Sequence, residues 1–143
     1  MLIKQISVFL ENRAGRLFEI AELLGNENIN IRALSLADAS DFGVIRLIVD
    51  KPEKAAERLK KEGFSVGLTS VVAVEVPDNP GGLASVLKVM TDAGINVEYM
   101  YAFVEKTSDN AIVIFRLENM EKTVELLLGK GLKILQEKEV LSL

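Results

Sequence analysis

The chain has 143 residues, 49% of them apolar and 27% charged, with 17 basic against 21 acidic side chains and a net charge of −4. That apolar content excludes a disordered chain and suffices for one ordinary domain or two small ones. The acidic balance removes the electrostatic footprint of nucleic-acid binding and of a polybasic membrane contact. Neither His nor Cys occurs, so the commonest general base, the commonest transition-metal ligand and all thiol chemistry are missing.

The first residues, Met1-Leu2-Ile3-Lys4-Gln5, lack a signal-peptide pattern. No apolar run reaches the roughly 20 residues of a membrane span, and a soluble cytoplasmic protein is expected. Residues 2–10 alternate, with Ile6, Val8 and Leu10 on one face, which predicts a strand. The turn Glu11-Asn12-Arg13-Ala14-Gly15 follows, and Leu17, Ile20, Ala21 and Leu24 then form a helical stripe. Asn28 stands where that helix should stop. Ile29 to Ala37 reads as a second strand and Asp38-Ala39-Ser40-Asp41 as a turn. Val44 to Val49 is apolar on both faces, which predicts a central strand. Pro52 opens a second helix that runs to Glu62, with Ala55, Ala56 and Leu59 inward. Gly63 ends it, and Phe64 to Leu68 is a fourth strand.

The chain then repeats itself. Gly15-Arg16-Leu17 recurs as Gly81-Gly82-Leu83, and Asn28-Ile29-Asn30-Ile31 as Gly94-Ile95-Asn96-Val97, both at an offset of 66 residues. Glu53-Lys54 recurs as Glu121-Lys122 and Gly63 as Gly131 at an offset of 68, so a two-residue insertion falls between Asn96 and Asp109. A period this long marks a structural unit used twice. Asn28 opposite Gly94 is physically sensible, since Asn and Gly both tolerate a left-handed helix cap. The second unit should carry helices near 83–93 and 119–128 and a third strand at 112–117. The order β-α-β-β-α-β, twice, is an α+β fold of two ferredoxin-like units in tandem, antiparallel sheets with helices on one face. The expected domains are 1–68 and 69–143, with only Thr69-Ser70 between the strand ending at Leu68 and the one starting at Val71.

In this topology the second strand of each unit lies at a sheet edge. Residues 97–104 carry one charge in eight, an aggregation hazard if left bare. The two edges should be paired, with each other in one sheet or across a dimer. Tyr99, Tyr101 and Phe103 alternate and read as core or interface.

The turn between first strand and first helix is the best candidate for chemistry. Asn12-Arg13-Ala14-Gly15-Arg16 and Asp78-Asn79-Pro80-Gly81-Gly82 each bring glycines and backbone N–H groups to a helix N-terminus. Such an end suits a carboxylate or phosphate, and Asn12 and Asp78 offer oxygens to a ligand ammonium. Helix capping by Asn or Asp explains the same residues. Asn30 and Asn96 are the second candidate, as ligand hydrogen-bonders at the edge strand or as bridges to neighbouring backbone. No nucleophile–base set, metal-ligand spacing or complete dinucleotide or Walker motif occurs, so no catalytic residue, metal or cofactor is expected.

The segments Asp78-Asn79-Pro80-Gly81 with Leu83 and Ala93-Gly94-Ile95-Asn96-Val97 resemble the ACT-domain signature. So do Asn12-Arg13-Ala14-Gly15-Arg16-Leu17 and Asn28-Ile29-Asn30-Ile31, and the whole chain resembles a tandem ACT-domain protein. The resemblance implies a non-catalytic regulatory protein of amino-acid metabolism. Its ligand would be an amino acid or similar small carboxylate at domain interfaces, where the first-turn loop of one domain meets the second-strand edge of its neighbour. It implies Asn12, Ala14, Gly15, Arg16, Leu17, Asn30 and Ile31 as ligand-binding residues of the first unit, and Asp78, Pro80, Gly81, Gly82, Leu83, Asn96 and Val97 of the second. Ala14 stands where the second unit has the family's proline, so the first unit departs more. A homodimer and a partner enzyme of amino-acid metabolism are the implied partners, without nucleic acid or membrane. A ligand-free interaction or regulatory subunit of an oligomeric enzyme is the alternative. A small phosphatase using Arg13 or Arg16 at an anion loop is a third reading.

Overall fold

The computed structural model describes residues 2–38, 40–103 and 110–143. They fall into two compact units, one of Lys4–Thr69 and one of Ser70–Leu143 with the first three residues. The first contains β1 (Ile3–Glu11), α1 (Arg16–Asn26), β2 (Ile31–Asp38), β3 (Phe42–Val49), α2 (Pro52–Lys61) and the first part of β4 (Ser65–Pro77). The second contains the rest of β4, then α3 (Gly82–Asp92), β5 (Val97–Ala102), β6 (Asn110–Leu117), α4 (Met120–Gly129) and α5 (Glu137–Leu141). Strand order is β2-β3-β1-β4 in the first unit and β4-β6-β5 in the second. This is the tandem ferredoxin-like α+β arrangement the repeat predicts.

Register explains each core. In the first unit Ile6 lies opposite Leu47 and Val8 opposite Ile45, so the apolar alternation of β1 and β3 falls on one face. Ile20 and Leu24 of α1 and Ala55 and Leu59 of α2 pack on that face. β3 lies antiparallel between β1 and β2, the central place that its apolar run predicts. In the second unit Val72, Val74 and Val76 of β4 join Val113, Phe115 and Leu117 of β6 beneath Val86, Met90, Val124 and Leu127. Full burial of one such Leu or Val side chain is worth about 1.5–3 kcal/mol.

Helix ends follow the expected chemistry. Pro52 takes the first position of α2, where a missing N–H costs nothing. Asn28 has φ 57° and its repeat partner Gly94 has φ 72°, so the Asn/Gly exchange sits at a left-handed position in both units. Gly63 and Gly131 likewise follow α2 and α4 at φ 88° and 87°.

Three features differ from the sequence reading. Thr69-Ser70 does not separate two strands. Ser65–Pro77 is one strand of 13 residues, because Thr69 to Val76 holds no Gly, Pro, Asn or Asp that would turn the chain. The expected last strand of the second unit is reduced to one bridge, Ile134 to Val74. Its flanks are fixed by Glu75 N–H to the Lys133 carbonyl and Leu135 N–H to the Ala73 carbonyl, both 2.9 Å. The five-residue α5 was not expected, being too short to show a helical period. Its start is held by the Glu139 carboxylate, which accepts from Gln136 N–H at 3.1 Å.

β2 pairs with β3, and β5 with β6; no other strand covers either one among the described residues. Leu34 and Leu36 of β2 and Met100 of β5 are 47%, 52% and 40% exposed. Tyr99 and Tyr101 are half-buried and Phe103 is buried. Val104 of the expected second-unit edge strand lies outside the described residues, as does Ala39 of the expected turn.

Candidate ligand-binding loops

Both strand-to-helix loops are built on a left-handed glycine. Gly15 and Gly81 are the N-caps of α1 and α3, with φ 91° and 86°. A side chain at either position would be strained, though open space surrounds both. Neither helix receives a side-chain cap, so the helix-capping explanation of Asn12 and Asp78 does not hold.

The backbone instead caps itself in part. Arg16 N–H reaches the Arg13 carbonyl at 3.4 Å and Gly82 N–H the Asn79 carbonyl at 3.0 Å. Glu19 and Ser85 N–H then bond the carbonyls of Gly15 and Gly81, both at 3.0 Å. The N–H groups of Leu17 and Phe18, and of Leu83 and Ala84, have no backbone or side-chain acceptor among the described residues. Two such donors at the positive end of a helix dipole have the chemistry that suits an anion.

The second loop is tighter. Gly82 is buried, and a Cβ there would lie 1.8 Å from the Pro77 carbonyl oxygen. Its counterpart Arg16 carries a large side chain that turns away from the loop. The Arg16 guanidinium sits 4.6 Å above the Phe64 ring, and its Nη1 donates to Glu19 Oε2 at 2.7 Å. Arg16 is thus engaged in packing α1.

Asn12, Ala14, Gly15, Asp78, Pro80 and Gly81 are exposed, and Leu17 and Leu83 are 40% and 36% exposed. Asn12 N–H donates to the Asp41 carbonyl at 3.0 Å, tying the first loop to the β2–β3 turn. A cleft of about 180 Å³ opens there, lined by Leu10, Glu11, Asn12, Arg13, Leu17, Leu36 and Gly43. Leu36 and Gly43 were not among the sequence candidates. An exposed leucine on an edge strand was the one available signal.

The asparagine candidates lie elsewhere. Asn30 and Asn96 follow the far ends of α1 and α3, and an 11-residue helix is about 16 Å long. Their side chains are exposed. The Asn30 N–H donates to Asp50 Oδ1 at 3.0 Å and the Asn96 N–H to Glu118 Oε1 at 3.3 Å. A carboxylate after the third strand thus holds the start of the second in both units, a device the sequence reading missed. Ile31 and Val97 are half-buried against their cores. Within one unit, therefore, the structure does not bring Asn30 and Ile31 to the Asn12–Leu17 loop, or Asn96 and Val97 to the Asp78–Leu83 loop.

The chain is 43% identical to protein BT0572 from Bacteroides thetaiotaomicron, with a TM-score of 0.93 over 100% of this chain and 98% of that one. The ligand-free regulatory subunit of aspartate kinase from Thermus thermophilus has the same fold at 19% identity, with a TM-score of 0.65 over 91% of this chain and 94% of that one. The corresponding subunit from Thermus flavus has a TM-score of 0.59 at 17% identity over 88% and 90% of the two chains. No curated protein matches the sequence. The ACT domain pair family matches residues 1–143 in full. The chain belongs to the ACT domain pair family.

Proposed function

We propose that this protein is a non-catalytic regulatory module that binds an amino acid or similar small carboxylate at its strand-to-helix loops. The observation that carries the reading is the pair of N–H donors after Gly15, and again after Gly81, that have no acceptor among the described residues. They suit a ligand carboxylate, and Asn12 or Asp78 suits its ammonium. Leu17 and Leu83 supply exposed apolar surface beside them.

Asn30, Ile31, Asn96 and Val97 lie a helix length from the loops of their own units. A site that uses both sets takes the edge-strand residues from a second copy of the chain, in a homodimer. Ligand binding then favours one domain arrangement, and the shift in population is the signal passed to a partner enzyme of amino-acid metabolism. The aspartate kinase regulatory subunits, alike in fold, make that enzyme class a reasonable partner.

The test is a thermal-shift panel with the common amino acids, each at about 1–5 mM. A ligand at 100 times its Kd stabilises by about 2.7 kcal/mol, several degrees for a chain of this size. One chemical class should shift the melt, and Asp78→Ala or Asn12→Ala should abolish the shift. A flat panel overturns the reading. The exposed Leu34, Leu36 and Met100 on open edges favour a second reading, a ligand-free interaction subunit. Co-purification of a stoichiometric enzyme without bound small molecule would support it.

A further inference from the structure

Strand register fixes what faces the cleft beside the first loop. Leu10 lies opposite Gly43, and Leu36 lies opposite Ile45. Leu10 and Ile45 both belong to the first-unit core, so Leu10, Leu36 and Gly43 share the helix-covered face of the sheet. Leu17 of α1 lines the same cleft. Glu11 alternates onto the opposite face, and its carboxylate lies 3.5 Å from Arg13 Nε. The walls are thus three leucines, and the nearest charges offset each other.

Gly43 makes the room. A Cβ there would meet Leu36 Cδ1 at 3.5 Å, the Ala37 carbonyl oxygen at 3.4 Å and Leu10 Cδ2 at 3.9 Å. It would stand between two of the leucines in ordinary van der Waals contact. At the repeat offsets the second unit has Ala111 for Gly43, Ala102 for Leu36 and Val76 for Leu10. The first unit combines a missing methyl with two larger walls, so the loops of the two units are not equivalent. A protein cavity of about 150 Å³ with apolar walls stays dry and takes up benzene, and the cleft here measures about 180 Å³.

We propose that the first unit selects an amino acid with a small apolar side chain, and that Leu36 and Gly43 set this selection. The inference rests on the loop reading and adds the ligand's third group to it. Leu17 lines the cleft and carries one of the N–H groups that have no acceptor among the described residues, and Asn12 lines it too. With the ligand carboxylate at the Leu17 and Phe18 N–H groups and its ammonium at Asn12, the side chain enters the cleft against Leu10, Leu17 and Leu36. A carboxylate or amide side chain would exchange water for leucine methyl groups there and is rejected.

The test is a calorimetric titration of the full chain with leucine, asparagine and alanine. Leucine and asparagine branch alike, so that comparison varies polarity at nearly constant shape. Leucine should bind about tenfold or more tighter than either, the discrimination an apolar pocket achieves. Gly43→Ala copies the second unit and should lower the leucine-to-alanine affinity ratio about fourfold or more, the worth of one buried methylene. Leu36→Ala removes a wall that is 52% exposed and should lower the same ratio. Asparagine binding as well as leucine would overturn the proposal while the loop reading stands. So would a leucine-to-alanine ratio kept in both variants, or all three ligands lost together in both, which marks a structural role. No binding of leucine overturns the proposal as well, and the loop reading falls with it only if the wider amino-acid panel is flat.

Discussion

One substitution, glycine to alanine, should change sign with its place in this chain. Gly25 and Gly129 lie in α1 and α4 with no atom within 4 Å of an added Cβ and no positive φ. Alanine there relieves the entropic cost of a helical glycine and should gain about 0.5–1 kcal/mol. Gly82 is also helical, but its added Cβ would stand 1.8 Å from the Pro77 oxygen and 2.8 Å from the Pro77 carbonyl carbon. The start of α3 must retreat from β4 by about 1.2 Å before the contact reaches 3.0 Å. Both sides of the contact are main chain, so no rotamer change relieves it. Overpacking by a methyl costs about 1–3 kcal/mol where side chains can adjust, and Gly82→Ala should exceed about 3 kcal/mol. Gly81→Ala is an intermediate case, with open space but φ 86°, and should cost about 1–2 kcal/mol. Urea unfolding of the four variants gives the order directly. Gly82→Ala within about 0.5 kcal/mol of the parent protein, the range of an ordinary surface change, would refute the close approach of α3 to β4.

Leu47→Ala, at a fully buried position of the central β3, should cost about 2–5 kcal/mol in the same unfolding assay. Arg16→Ala should cost about 1 kcal/mol through loss of its contact with Phe64 and its pair with Glu19. Asp50→Ala should lower the hydrogen-exchange protection of the Asn30 amide by about tenfold, an opening free energy near 1.4 kcal/mol. The Glu53 carboxyl is held below the usual carboxylate range, first by its hydrogen bond with Lys4. Its contribution is therefore present above the unfolded carboxylate value and fades as pH falls through the lowered folded value. Glu53→Gln should differ slightly from the parent protein near neutral pH and match it in acid, a difference that salt also removes.

Period and punctuation made most of the fold legible. Leu17, Ile20 and Leu24 announced α1, and the match of Asn28 to Gly94 announced a left-handed cap in both units. The fusion at Thr69-Ser70 was not legible, because a repeat offset says where a unit restarts and not whether the chain bends there. The loops were found through Gly15 and Gly81. Reading Asn12 and Asp78 as caps failed because the left-handed glycine takes the N-cap position itself. The carboxylates of Asp50 and Glu118 gave no local sign, since they act on backbone 20 and 22 residues away.

The pairing of β3 sets an order of assembly. Asp38 meets Gly43 across β2 and β3, a short loop that closes on the microsecond scale of hairpins. Leu10 meets Gly43 across β1 and β3, and that contact waits for α1 and β2 to be gathered between them. The larger loop costs more entropy and forms later. The hairpin is thus the natural nucleus of the first unit, and changes at Leu36 or Ile45 should slow folding. Changes on β1 should mainly speed unfolding. During synthesis β1 emerges first and has no partner until β3 has followed it. Phe9 and the apolar face of Ile6, Val8 and Leu10 are then open to other chains, which places the risk of misassembly in the nascent protein before the native fold has formed.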